Sequence, residues 1–331
     1  MATIQDVAKL AGVSTATVSR ALSGSRPVGA DLTRRVEEAA ARLGYRHNAL
    51  AQALRTQRSN TIGMVVPQIS NPFFPLLVEA VERRLQQDGL ELLLCDSHQD
   101  VAVEARRLRT LTDRHVDGII VSPLHTTASA PALAATAERV RVIQIDRRVD
   151  GSTCHWVGID DAAGFGGLVD LLVSHGRRRL VFVGSEFTNS SARDRAAAFD
   201  NSLARHGLRP AAPALLGRFD VAWGLAAAQS LVQGGEFDGV VCGDDLIALG
   251  VMRGLIRAGV RVPEDVAVTG FDDIAFAEIS DPPLTTMRQQ WDVMADEAVR
   301  LLQGGGGGGS LRIAVAPVLQ LRDSTPRSDE E

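Results

Sequence analysis

From residue 61 onward, short apolar runs alternate with segments of helical periodicity, and that alternation restricts the fold more than any other feature of the chain. Ile62–Val66, Leu92–Leu94, Ile119–Val121 and Val142–Ile145 have the composition of strands buried on both faces. Helical segments near 75–88, 101–114 and 131–139 separate them. A second series repeats the plan: Leu180–Val183, Leu215–Leu216, Val240–Cys242 and Val266–Thr269, with helices near 161–175, 192–206, 221–233 and 245–258. Parallel neighbours need a crossover, so strand–helix alternation produces a parallel sheet covered by helices. Two series predict two doubly wound α/β lobes within residues 61–322. A helix near 290–302 and the runs Ala314–Ala316 and Val318–Leu321 are expected to return to the first lobe. The lobes then comprise 61–160 with 290–322, and 161–289, ahead of a polar tail at 323–331.

Length and composition set the outer bounds. At 331 residues the chain is too long for one ordinary core, and 45% hydrophobic with 23% charged residues is the profile of a folded soluble protein. No apolar run approaches the roughly 20 residues that span a bilayer, and no basic-then-apolar leader opens the chain, so no membrane partner is expected and a cytoplasmic location is. Cys95, Cys154 and Cys242 are scattered, with no CxxC pair, and the seven histidines show no ligand spacing. Neither metal nor cofactor is expected. The net charge of −5 hides an asymmetry: residues 1–60 carry nine Lys or Arg against four acids, a net of +5, which leaves −10 on the remainder. A basic head on an acidic body suggests that only the head meets a polyanion.

The head, predicted to span 1–47, reads as three short helices. Thr3 can cap Ile4–Ala11, and Gly12 can end it in a left-handed conformation. Ser14 can cap Thr15–Leu22, in which Val18, Ala21 and Leu22 share one face while Thr15, Ala16, Ser19 and Arg20 share another. Small polar residues and one Arg make an outer face that can enter a major groove. A third helix, about Asp31–Leu43, carries Val36, Ala39, Ala40 and Leu43 at helical spacing. Two helices joined by a Gly-containing turn and buttressed by a third make the helix-turn-helix plan.

The block Thr3–Arg20, continued by Leu43-Gly44-Tyr45 and Asn48–Arg55, resembles the lac repressor (LacI/GalR) family of bacterial transcription regulators, and the likeness covers nearly the whole chain. The resemblance implies a homodimer bound to double-stranded operator DNA. It implies that Thr15, Ala16 and Arg20 face base edges, with Arg20 suited to a bidentate guanine contact, and that Ser14, Thr17, Ser19 and Ser23 hold phosphates; Thr3 is counted with these DNA-binding residues. Residues 48–60 match the family hinge. Asn48 can cap Ala49–Arg55, a helix too short to persist alone. The likeness implies that Asn48, Gln52, Ala53, Leu54 and Arg55 reach the minor groove, with Leu54 as an apolar wedge; otherwise the segment is a tether with Leu54 packed on the body. One departure concerns Val28–Arg34, which is one residue longer than usual and has Gly29 in place of a Ser cap, leaving the start of helix three open.

Just beyond the predicted strand ends stand groups suited to a small polar ligand. Aromatic rings, carboxylates and Arg together bind hydroxylated rings. The body is similar to that of periplasmic sugar-binding proteins, with a hinged cleft between the lobes. The family match places Ser122, Asp146, Arg195, Phe219, Asp244 and Asp272 on effector-contacting positions and Phe73 and Phe74 on the cleft loop. The implied effector is a sugar or sugar-like molecule, with nucleosides and purines also possible. Simple packing or helix capping is the competing role for each of these side chains. Enzyme chemistry has little support: Gly304–Gly309 lacks the Lys-Ser/Thr of a phosphate loop, and Gly164-Phe165-Gly166-Gly167 falls inside a helix. A solute-binding receptor or sugar-modifying enzyme with a basic head is the alternative to a regulator.

Overall fold

The computed structural model describes residues 2–23, 28–45, 58–305 and 309–326. Residues 1–59 and 60–331 form separate compact units. In the first unit, α1 (Ile4–Ala11), α2 (Thr15–Ser23) and α3 (Ala30–Leu43) enclose a core of Val7, Ala8, Ala11, Val18, Val36, Ala39 and Ala40. The third helix starts at Ala30, and Gly29 supplies no side-chain cap, as the missing serine requires.

The second unit is built of two parallel sheets. The first has six strands in the order β11-β5-β4-β3-β1-β2: β1 (Thr61–Val66), β2 (Glu91–Asp96), β3 (Gly118–Val121), β4 (Val142–Ile145), β5 (His155–Ile159) and β11 (Arg312–Val315). Helices α4 (Phe73–Gln87), α5 (Val101–Asp113) and α6 (Ala130–Ala137) make its crossovers. The second sheet has the order β7-β6-β8-β9, from β6 (Leu180–Ser185), β7 (Leu215–Gly217), β8 (Gly239–Cys242) and β9 (Ala267–Thr269). It is accompanied by α7 (Asp161–Ser174), α8 (Ser190–Arg205), α9 (Val221–Gly234) and α10 (Asp245–Arg257). Strand order reverses within each sheet, which creates the switch points where ligand sites of such folds lie. The short α11 (Ala275–Ile279) and then α12 (Trp291–Leu302) follow; α12 packs on α4 and on the first sheet, returning the chain to the first lobe. Close packing accounts for the glycines of α7: a Cβ on Gly164 would lie 2.7 Å from the Phe271 ring, and one on Gly167 would lie 2.9 Å from Met287.

Three expectations need correction. The strand β5 was not anticipated, because His155-Trp156-Val157-Gly158-Ile159 mixes polar, aromatic and glycine residues and lacks a continuous aliphatic run. The run around 318–321 does not join the first sheet. Instead β12 (Val318–Gln320) pairs antiparallel with β10 (Thr286–Arg288) in a separate two-stranded ribbon. The supposed polar tail is structured at its start: Ser324 and Thr325 are buried against the second lobe. Ser324 donates its Oγ to Val268 O (2.6 Å) and accepts from Thr285 N (2.8 Å), while Val268 N donates to Ser324 O (2.9 Å). A polar residue with every group bonded can be buried, so composition alone misplaced the boundary.

Candidate functional site

In the head, the first helix is fixed at both ends. Thr3 N donates to Asp6 Oδ2 (2.8 Å) and Asp6 N donates to Thr3 Oγ1 (3.3 Å), a reciprocal capping box that holds the Asp6 carboxyl below its ordinary range. Gly12 ends the helix at φ 65°, a conformation that favours glycine. Thr17 N then donates to Ser14 Oγ (3.1 Å), which starts α2 directly after the turn. Thr15, Ala16 and Arg20 are exposed on α2, and Arg20 Nε donates to Ala16 O (3.1 Å). Ser19 departs from the expected pattern. It is buried beside Val18 on the core side and does not share the exposed face. Asn48, Gln52, Ala53, Leu54, Arg55 and the side chain of Ser23 lie outside the described residues.

In the body, the residues picked from strand ends converge. Phe73, Phe74, Asp146, Arg195, Phe219, Asp244 and Asp272 line one small cavity between the lobes, of about 20 Å³, together with Asn71, Arg147 and Ser191. Ser122, the eighth expected residue, stands behind it and donates its Oγ to Asp146 Oδ2 (3.1 Å). A larger recess of about 130 Å³ adjoins it and shares Asn71, Phe74, Arg147 and Phe219 in its lining.

The topology explains the convergence. Asp146 follows β4, Asp244 follows β8 and Asp272 lies three residues beyond β9, all at the carboxyl ends of parallel strands. Asp146 (φ 62°) and Asp272 (φ 115°) occupy backbone conformations rare for residues with a Cβ, and such strain concentrates at binding sites. Each is clamped: Asp146 N donates to Val157 O and Asp272 N to Met287 O, both at 2.9 Å. Trp156 braces the first turn, its Nε1 donating to Asp146 O (3.1 Å) and its ring lying under the Arg148 guanidinium (5.0 Å).

Arg195 organises the charges. Its Nε donates to Asp161 Oδ1 (3.1 Å), Nη1 to Gly243 O (2.7 Å) and Nη2 to Asp272 Oδ1 (3.4 Å), over the face of Phe271 (4.2 Å). Gln289 Nε2 also donates to Asp272 Oδ1 (2.6 Å). Burial is the main cause pushing the carboxyls of Asp161 and Asp272 up to about 7, against the pull of Arg195. Burial likewise raises Asp244 to about 6, although its Oδ1 accepts from Ile247 N (2.8 Å) as the cap of α10. Asp244 therefore combines the capping role with a place in the cavity wall. Asp245 is structural, accepting from Thr286 Oγ1 (2.6 Å) and Ile274 N (2.8 Å).

Sequence reasoning did not choose Asp161, Ser191 or Gln289. Ser191 lines the cavity from α8, while Asp161 on α7 and Gln289 after β10 hold Arg195 and Asp272 from behind, and no strand-end rule points to them. Arg193, two residues before Arg195, forms a two-point ion pair with Asp150 (2.8 and 2.9 Å). Opposite it, Arg148 Nη2 meets Asp194 Oδ2 (2.6 Å) and Arg148 N donates to Ser190 Oγ (2.9 Å). These pairs join the segment after β4 to α8, one lobe to the other. The arrangement fits retention of a polar ligand between lobes and offers no separated acid and base poised for proton transfer.

Known proteins resemble the chain in both its head and its body. Residues 3–48 match the model of bacterial regulatory proteins of the lacI family, and 169–325 match a periplasmic binding protein-like domain. The chain is 33% identical over 307 residues to the ribose operon repressor of Escherichia coli (strain K12), covering 91% of this chain and 92% of that one. It is 32% identical over 306 residues to the transcriptional repressor PurR of Pasteurella multocida, covering 91% of each. Among solved structures, the lac repressor dimer bound to operator and the anti-inducer ONPF matches with a TM-score of 0.88 and 27% identity, over 98% of this chain and 99% of that one. The transcriptional regulator CelR in complex with cellobiose matches with a TM-score of 0.74 and 28% identity, over 98% of this chain and all of that one.

Proposed function

Because the chain belongs to the lacI family of bacterial regulatory proteins and is a DNA-binding transcriptional regulator, we propose that it represses transcription as a homodimer whose operator affinity is set by a small polar effector held between its lobes. The carrying observation is the buried cluster of Asp146, Asp244 and Asp272 at strand ends with Arg195 from α8, in the same chain as a helix-turn-helix head. The effector is a sugar or a purine-like molecule, in keeping with the ribose and purine repressors among the relatives and with the cellobiose complex. Its hydroxyl or ring N–H groups donate to the carboxylates.

On DNA, two heads place α2 in successive major grooves about 34 Å apart. Arg20, Thr15 and Ala16 read base edges, and Thr3, Ser14, Thr17 and Ser23 hold the backbone. Ser19, being buried, supports α2 from behind. Residues 48–60 act as the hinge, with Asn48, Gln52, Ala53 and Arg55 along the minor groove and Leu54 as the wedge. Effector binding stabilises one lobe arrangement and thereby orders or releases the paired hinges. Such coupling of about 1–3 kcal/mol changes operator affinity by one to two decades. The regulator works in the cytoplasm and associates with the nucleoid when bound to DNA. Selection of genomic fragments by the full chain, followed by footprinting, tests this reading. Enrichment of a pseudo-palindromic site that Arg20→Ala no longer prefers over random DNA supports it. Equal retention of all fragments by the parent chain overturns it.

A further inference from the structure

Arg147 is 9% exposed, and its buried Nε makes no hydrogen bond among the described residues. Its guanidinium carbon lies 5.7 Å from the centroid of Phe74 and 5.7 Å from that of Phe219, and it lines both the small cavity and the adjoining recess. The nearest carboxylate atom is Asp146 Oδ2, 3.6 Å from Arg147 Nε and beyond hydrogen-bonding distance. That carboxylate is already occupied, by Ser122 Oγ on Oδ2 and by Ser191 Oγ on Oδ1. Arg195 pairs with Asp161 and Asp272, Arg218 with Asp220, Arg193 with Asp150 and Arg148 with Asp194, and Arg147 has the Asp146 ion pair but no side-chain hydrogen bond among the described residues. A buried charge with unfilled donors is costly unless a partner arrives. Aromatic faces favour the guanidinium's charge but leave its in-plane N–H donors open.

We propose that Arg147 selects the effector by receiving an anionic oxygen group, a carboxylate or a phosphate, at the junction of the two chambers. The inference rests on the reading of the cleft as the effector site and narrows it to sugar acids or sugar phosphates. The fork of N–H donors matches two oxygens of such a group, whereas a single hydroxyl fills only one direction. Asp244 and Asp272 line the same small cavity and take the hydroxyl donors of the same molecule.

Calorimetric titration of the full-length chain with matched probes tests the proposal: glucose, gluconate and glucose 6-phosphate, then ribose and ribose 5-phosphate. One or more anionic members should bind at least about tenfold more tightly than the neutral sugar of the same set. Arg147→Met should erase that preference while operator binding persists and the melting temperature does not fall, and Arg147→Lys should keep part of it. Neutral sugars that bind as well as their anions, with Arg147→Met indifferent, would overturn the assignment and leave the effector site standing. No binding of any probe to an operator-competent chain would instead count against the effector-site reading, and the assignment would fall with it.

Discussion

Arg195 is surrounded by groups that need it: Asp161 and Asp272 on its donors, the Gly243 carbonyl on a third, and Phe271 beneath. Breaking a buried ion pair by removing one partner costs about 3–5 kcal/mol, since the charges left behind stay desolvated. Arg195→Met is therefore expected to lower stability by about that amount and to abolish the effector response; denaturant titration beside a ligand titration checks both, and a loss under about 1 kcal/mol would contradict the first. A carboxyl with a higher pKa in the folded chain than in the unfolded one holds its proton more tightly when folded. Its stabilising contribution is complete below the unfolded value and is lost as pH rises through the folded one. Asp161 and Asp272, at about 7 against an ordinary 3.8, thus make the ligand-free chain less stable as pH rises from about 4 to 8. Asp272→Asn should flatten that slope in thermal melts, and an equally steep profile would refute the assignment. At this scale the sequence was informative where chemistry followed a strand: Asp146, Arg195, Asp244 and Asp272 were all legible. Arg147 stood beside Asp146 in the same turn, but nothing in the sequence said that its buried Nε would lack a hydrogen bond.

The elements of the head show how far local rules reach. Thr3, Gly12 and Ser14 each mark a helix end by a mechanism confined to a few neighbours, and the structure realises all three. Thr3→Ala should cost about 1 kcal/mol by leaving helical N–H groups unpaired. Gly12→Ala should cost about 1–2 kcal/mol, because a Cβ at φ 65° is strained and would stand 3.1 Å from Arg35 Nη2. Hydrogen exchange of α1–α3 amides in the full chain checks both; exchange should speed up there and remain unchanged in the parallel sheets. Ser19 was misread because helical periodicity alone cannot decide which border residue a neighbouring helix covers. Strand β5 escaped notice for a related reason. Its Trp156 serves the Asp146 turn as well as the sheet, so its sequence does not look like a simple buried strand.

Over the whole molecule, two lobes are joined by charge pairs whose signs cross: Arg148 and Asp150 on one side, Asp194 and Arg193 on the other. The Arg193–Asp150 pair is partly exposed, so it contributes about 0–1 kcal/mol to stability and is weakened by salt. Asp150→Ala should leave the melting transition almost unmoved while widening the ligand-free lobe arrangement, visible as a larger radius of gyration by solution scattering. An unchanged radius would show that the pair does not hold the cleft. The double lobe was readable from strand–helix alternation, whereas the β10–β12 ribbon and the buried Ser324 depend on contacts between distant segments that periodicity does not encode. What unites these parts is control of DNA binding by occupancy of the cleft. Fluorescence anisotropy of a selected operator, titrated with the full chain with and without saturating cleft ligand, measures that link directly. The account expects operator affinity to shift by one to two decades in the parent chain and not at all in Arg195→Met, with both proteins binding the operator when ligand is absent. Operator affinity that is identical with the cleft filled and empty would contradict it.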